Sequence, residues 1–276
     1  NPLKICAPLL GLWKEPKLGG AVFDYHCLKG LSEQGIEVHV PVVYHVEDGR
    51  FTGWTLYRVP LKRGYKTGPL LVNLFFLVWV IRIWRKTRFQ ILMIRSPEVL
   101  GYFSALLGRL LPVKTIARYT HLEPENRLQR LLHRGIAHSF SSVTATSRFT
   151  KDELMRRYRL PPEKIKVIYP GVPEDARETK GSGNGLFLKA YPLEGQKVLS
   201  YIGALTERKN LLFLIDVFEK VHQRYPQTLL ILCGGRSHPR DDYEETLKRT
   251  VREKGLGEGV LFVGSRTQSE KRALLQ

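Results

Sequence analysis

Two adjacent cations are the sharpest chemical feature of this 276-residue chain. Arg208 and Lys209 lie in Tyr201-Ile-Gly-Ala-Leu-Thr-Glu-Arg-Lys-Asn210, between an apolar strand pattern at 197–202 and a helical pattern that Asn210 caps. Two cations beside a row of free helix N–H groups suit a diphosphate, by charge and by directed hydrogen bonds. The plainer alternative is a solvated basic turn. His121 is the second candidate. It sits just past the C-terminal end of a strand pattern at 114–119, where open α/β sheets place their ligands. A surface or structural histidine is the competing reading. Glu123 and Glu125 follow closely and read as two solvated loop carboxylates, with a general base as the alternative. Gly181-Ser-Gly-Asn-Gly185 has three glycines, but no strand runs into it, so it reads as a linker or loop rather than a phosphate cradle.

Several common chemistries lack their motif. There is no G-x-x-x-x-G-K-S/T phosphate loop, and the first strand is not followed by G-x-G-x-x-G. No H-E-x-x-H, no D-x-D after a strand and no G-x-S-x-G elbow occurs. Cys6, Cys27 and Cys233 are too few and too scattered for a disulfide framework or a zinc knuckle, which suits a reducing cytosolic compartment.

The elements that would position these residues alternate strand with helix. An apolar run at 4–10 leads to Gly19-Gly20. Val22, Phe23, His26, Cys27, Gly30 and Leu31 then recur at helical spacing, with Gly35 as the stop and a strand at 36–43. That unit opens a Rossmann-like layer. Residues 44–68 are poorly patterned. Strands are expected at 89–95, 114–119, 142–146 and 164–169. Val99, Phe103, Leu106, Leu107 and Leu110 read as one face of a helix, and Leu128, Leu131 and Leu132 lie on another. Thr150-x-x-Glu153 reads as a capping box. After a composition break at 174–195 a second alternating unit follows, with strands at 197–202, 228–233 and 260–263 and helices at 210–221 and 243–254.

Composition is ordinary for a globular protein, at 43% hydrophobic and 25% charged residues, which excludes a disordered tail and a polytopic membrane protein. The net charge of +18 is not ordinary. Residues 1–194 hold 30 basic and 16 acidic groups, a balance of +14, so an anionic partner should meet the first part. Between Gly49 and Pro97 there is no acidic residue, while Lys62, Arg63, Lys66, Arg82, Arg85 and Lys86 are among ten cations. The apolar stretch within it, 70–84, is too short to span a bilayer. It reads either as a buried helix or as one lying in an anionic membrane interface, with Trp79 and Trp84 at headgroup depth.

The second unit resembles the retaining GT-B glycosyltransferases of family four. The resemblance rests on the turn through Arg208, Lys209 and Asn210, a helix ending at Tyr225-Pro226, the apolar strand 229–233 running into Gly234 and Gly235, the helix from Tyr243 through Leu247, and the segment from Gly255 to Gly264. The first unit is similar more loosely, through Gly19-Gly20, Thr144-Ala-Thr-Ser147 and Val167-Ile-Tyr-Pro-Gly-Val172.

The resemblance implies two facing Rossmann-like α/β domains with parallel sheets. The N-terminal acceptor-side domain would occupy 1–173, a linker 174–195, and an incomplete C-terminal nucleotide-sugar domain 196–276. It implies transfer of a hexosyl group from a nucleotide-diphosphate sugar to an acceptor hydroxyl, with retention, no metal and no cofactor. Gly20, Arg208, Lys209, Gly234 and Gly235 would bind the donor, and His121 would support the transferring sugar. Ala204 stands where the family often has Arg, so one phosphate contact is missing. The family's E-x7-E signature would lie beyond Gln276, so the chain is expected to be a fragment with little turnover. It also implies a glycan or glycolipid acceptor and peripheral docking on the inner face of the cell membrane. The rivals are a non-catalytic basic module that binds membrane or nucleic acid, and another GT-B enzyme such as a sugar-phosphate epimerase. Nucleic acid is the weaker partner, because the aromatics sit in apolar runs rather than among cations.

Overall fold

The computed structural model describes residues 2–11, 19–43, 53–60, 69–95, 97–102, 104–171, 189, 191, 193–236 and 242–275. The chain divides into two compact units, Asn1–Val172 and Pro173–Gln276.

The first unit is built on a seven-stranded parallel sheet. Its strands are β1 (Lys4–Cys6), β2 (Glu37–Val42), β3 (Trp54–Arg58), β4 (Ile91–Arg95), β5 (Lys114–Tyr119), β6 (Ser142–Ala145) and β7 (Ile165–Val167), in the order β3-β2-β1-β4-β5-β6-β7. Alternation along the strands feeds two cores. Ile5 and Ala7 join one with Val38, Val40 and Leu28, while Cys6 joins the other with Leu92, Ile94 and Ala117. Helix α1 (Gly19–Glu33) covers the first face and ends at Gly35, whose φ of +81° is open to glycine without strain. On the other face lie α2 (Pro69–Thr87), α3 (Pro97–Leu100), α4 (Ser104–Leu110), α5 (Arg127–Ser139) and α6 (Arg148–Tyr158).

Several local expectations are corrected. Strand β3 falls inside the stretch that looked unpatterned; it pairs in parallel with β2 and is only partly buried, so its alternation is weak. The helix expected from Val99 to Leu110 is two short helices, α3 and α4. They part at Gly101, where a Cβ would run into the Pro97 carbonyl. Leu107 is buried there, but Leu106 and Leu110 are exposed. The cap of α6 is Ser147, whose Oγ accepts from the Thr150 N–H at 3.0 Å. Glu153 instead pairs forward with Arg156 and Arg157, at 2.7 and 2.8 Å.

The second unit has a three-stranded parallel sheet, β8 (Lys197–Ile202), β9 (Thr228–Cys233) and β10 (Val260–Gly264), in the order β10-β9-β8. Every residue of β9 is buried, as expected of a strand covered on both faces. One face packs on α7 (Leu211–Arg224) and α8 (Tyr243–Glu253) through Ile215, Phe218, Leu247 and Val251. Helix α9 (Gln268–Ala273) ends the described chain, and Leu274 beyond it joins Ile231, Cys233 and Val263 on the other face.

Candidate functional site

In the first unit the strand order reverses at β1, which has β2 on one side and β4 on the other. The crevice outside the C-terminal ends of such strands is where doubly wound sheets hold ligands. Gly19 and Gly20 begin α1 there, Arg95 ends β4, and Arg118 sits near the end of β5. One buried carboxylate ties them together. Asp24 Oδ2 lies 2.6 Å from Arg95 Nη1, and its Oδ1 lies 3.1 Å from Arg118 Nη2. Arg118 also stacks on the Phe23 ring, with its guanidinium carbon 4.4 Å from the centroid. Burial raises the Asp24 carboxyl above the ordinary range, and the two guanidiniums pull the other way. Two guanidiniums share one acid, so the cluster is net positive when Asp24 is ionised. A Cβ on Gly20 would collide with the Arg95 guanidinium, so glycine lets the helix start lie directly against that cation.

His121 lies two residues past β5, as expected, and is about half exposed, at 49%. Its Nε2 is 2.6 Å from Glu123 Oε1, and its Nδ1 is 3.0 Å from Thr120 Oγ1. A carboxylate only accepts, so Nε2 carries the proton and, in the neutral ring, Nδ1 accepts from the threonine hydroxyl. The loop is tied down by Thr146 Oγ1 donating to the Thr120 carbonyl at 3.0 Å and Arg157 donating to the Glu123 carbonyl at 3.1 Å. Glu125 is not a solvated loop carboxylate. Its side chain is buried, accepting from His133 Nδ1 at 2.9 Å and from the Tyr158 hydroxyl at 3.2 Å.

In the second unit Arg208 and Lys209 lie on a single 3-10 turn, Glu207–Lys209, between β8 and α7. Both are exposed, and neither forms an ion pair with a described residue. The charge of Arg208 reaches the Tyr201 phenol, which burial pushes up and Arg208 pulls down. The expected row of free helix N–H groups is corrected. Asn210 is left-handed (φ 50°) and its side chain caps nothing. The Tyr243 hydroxyl accepts from the Leu211 and Leu212 amides instead, at 3.1 and 3.3 Å. Charge from the two side chains, rather than open amides, is therefore what this turn offers an anion.

Gly234 and Gly235 have a structural reason to be glycine. A Cβ at Gly234 would overlap the Gly203 carbonyl oxygen, and one at Gly235 would lie 2.9 Å from Ser265 Oγ. Close backbone approach continues the ladder past the strands: Gly203 N–H donates to Cys233, Gly234 to Gly264 and Leu205 to Gly235, at 2.9 to 3.0 Å. The result is a flat floor of backbone at the C-terminal edge of β8 to β10.

Of the residues expected at a membrane, Lys62, Arg63 and Lys66 lie outside the described residues. Helix α2 buries Val72, Phe76, Val80 and Ile83 and leaves Leu74, Phe75 and Val78 exposed. Trp79 and Trp84 are half-buried and pack against that core, under Arg82 at 5.7 Å and Arg88 at 4.3 Å. Arg85 and Lys86 are exposed in its last turn. Among the described residues, no helix is long and apolar enough to cross a membrane, and no three His, Cys, Asp or Glu side chains converge as a metal site. Asp24, Arg95 and Arg118 were not singled out from the sequence; the acid-free stretch that ends beside Arg95 was the available signal.

Residues 19–176, more than half of the chain, match the family model described as Glycosyltransferase Family 4. The chain belongs to glycosyltransferase family 4. Residues 187–276 of this family 4 chain match a second model, glycosyl transferases group 1. Among curated proteins it is 27% identical over 129 residues to the GDP-mannose-dependent alpha-(1-6)-phosphatidylinositol monomannoside mannosyltransferase of Mycolicibacterium smegmatis, covering 47% of this chain and 32% of that protein. The matched segments thus span about a third of the curated relatives' length. Among solved structures it is similar to Alr3699/HepE of Anabaena in complex with UDP-glucose, with TM-score 0.75, 17% identity, and 99% of this chain and 71% of that one covered. Sucrose-phosphate synthase of Thermosynechococcus elongatus gives TM-score 0.75 at 16% identity, covering 99% and 73%. The α/β architecture, with a large parallel sheet and a second, smaller one, is that of GT-B glycosyltransferases.

Proposed function

We propose that this family 4 chain transfers a hexosyl group from a nucleoside-diphosphate sugar to an acceptor hydroxyl, with retention and without a metal. The observation that carries the reading is the exposed Arg208–Lys209 turn, which forms no ion pair with a described residue, beside the glycine floor of the second sheet. Two cations offset the charge that builds on a departing diphosphate, the role a divalent ion takes elsewhere. Ala204 adds no cation to the turn, which leaves Arg208 and Lys209 to carry that charge. Gly234 and Gly235 would let the nucleotide lie close to backbone. A related chain whose structure holds UDP-glucose and a relative named for GDP-mannose support a nucleoside-diphosphate donor.

The first unit would receive the sugar and the acceptor, a glycan or glycolipid. Gly20 leaves room beside Arg95, whose guanidinium is fixed by Asp24. His121 would lie against the transferring sugar, with its ring held in place by Thr120 and Glu123.

Thermal shift tests the reading. UDP or GDP should raise the melting temperature of the chain, and Arg208→Gln with Lys209→Gln should abolish the rise while leaving the ligand-free melting unchanged. Stabilisation by heparin but by no nucleoside diphosphate would favour a basic binding module instead. A family 4 match across 19–176 favours transfer over epimerisation. Release of free nucleoside diphosphate only when an acceptor is present separates the two directly.

A further inference from the structure

Two arginines stand side by side near the point where the first sheet reverses its order, and one acid serves both. Arg95 and Arg118 are direct partners in the parallel register of β4 and β5. Like charges set beside each other on neighbouring strands are destabilising. Asp24 takes both, at 2.6 and 3.1 Å, and neither guanidinium pairs with a second acid among the described residues. One positive charge is left over when Asp24 is ionised, and burial works against that ionisation. A purely structural network would need only one arginine to match Asp24. The second adds repulsion and brings no partner of its own.

Hydrogen-bond donors are left over as well. A guanidinium carries five N–H groups. Arg95 Nε is buried without a hydrogen-bond partner among the described residues. So is Arg118 Nη2, whose contact with Asp24 is an ion pair lacking hydrogen-bond alignment. Buried donors of this kind are uncommon and call for a ligand, an ion or ordered water. Arg118 is only 8% exposed and is held against Phe23. Arg95 is 31% exposed, and its Nη2 occupies the space that a Cβ on Gly20 would take. A buried cation thus stands behind a reachable one at the C-terminal ends of the strands, where such sheets hold ligands. His121 follows β5 at the same ends.

We infer that Arg95, backed by Arg118, binds a phosphate ester carried by the acceptor. This rests on the reading of the first unit as the acceptor side of a sugar transfer. The planar fork of a guanidinium matches the oxygens of a phosphate. Phosphate charge is spread over several oxygens, so it answers both cations at once. A neutral glycan would leave the extra charge and the orphaned donors as they are. The diphosphate of the donor is served by Arg208 and Lys209 of the second unit in the proposed reaction, which leaves the arginine pair of the first sheet for the acceptor. A phosphorylated sugar and a lipid phosphodiester present the same chemistry to Arg95.

Saturation-transfer NMR on the full chain tests this. The probes are mannose 6-phosphate for a sugar phosphate and glycerophosphoglycerol for a lipid phosphodiester, with mannose, glycerol and glucuronate as controls. At least one phosphate ester should bind while mannose and glycerol do not, and the tighter ester identifies the source of the phosphate. Arg95→Gln should weaken that binding by about tenfold or more. Arg208→Gln with Lys209→Gln should leave it unchanged. Asp24 keeps Arg118 in the Arg95→Gln variant, so the chain should still fold, as melting would show. Arg95→Lys keeps the charge and loses the fork; its affinity should be intermediate, and it serves as the test if the glutamine variant melts early. UDP should still raise the melting temperature of Arg95→Gln and should not displace the ester from the wild type. No binding of either ester, equal binding of glucuronate, unchanged binding in both Arg95 variants, or displacement by UDP would each overturn the proposal. Failure of UDP to stabilise the wild type would count against the sugar-transfer reading instead, with the ester measurement unaffected.

Discussion

Asp24 holds two cations at the C-terminal ends of the first sheet's strands. It is the shared partner of Arg95 and Arg118, and the rigid strands β4 and β5 bring both to it. Removing its charge leaves the Arg95 and Arg118 guanidiniums without the buried carboxylate they share. Asp24→Asn should therefore destabilise the protein by about 3–5 kcal/mol in denaturant titrations. Gly20→Ala should be milder for stability, because the Cβ meets the far end of Arg95 rather than backbone, yet it should displace that guanidinium. His121 belongs to the proposed chemistry. His121→Ala should cut the transfer rate about a hundredfold with nucleoside-diphosphate affinity unchanged, as single-turnover rates and titration calorimetry would show.

Among the elements, α7 and α6 have end or side contacts that can be tested separately. The first two amides of α7 are closed by a hydroxyl from α8, not by the local Asn210. Tyr243→Phe should cost about 1 kcal/mol and lower the melting temperature, with no comparable loss from Asn210→Gly, which keeps the left-handed backbone. In α6, Arg156 and Arg157 hold the Glu153 carboxyl down to about 2, against an ordinary value of 4.5. A depressed folded-state value means the unfolded chain takes up the proton first on acidification. The stabilisation is complete above about 4.5 and is lost as pH falls towards 2. Melting of the wild type should thus fall more steeply than that of Glu153→Gln across that window.

At the scale of the molecule, the distribution of charge matters more than any pair. A net +18 with its excess in the first part favours anionic surfaces over long range. The Debye length shrinks from about 10 Å at 0.1 M salt to about 3 Å at 1 M. Vesicle binding should weaken steadily over that interval in flotation assays.

The strand–helix alternation, the Gly20 helix start, the position of His121 just past a strand and the Arg208–Lys209 turn were all determined by the sequence alone. Each depends on neighbours within a few residues: hydrophobic period, a glycine stop, a cation in a turn. What only the tertiary structure decided are contacts between elements distant along the chain. Asp24 meets Arg95 and Arg118 because parallel pairing stacks β1, β4 and β5 side by side. Tyr243 reaches the start of α7 across 32 residues, and Glu125 is buried by His133 and Tyr158 from two helices. Helix periodicity marked Leu128, Leu131 and Leu132 as one apolar face but could not say which way it points. The box at Asn126 starts the helix, and burial of His133, Ile136 and Ala137 on its other side turns those leucines outward.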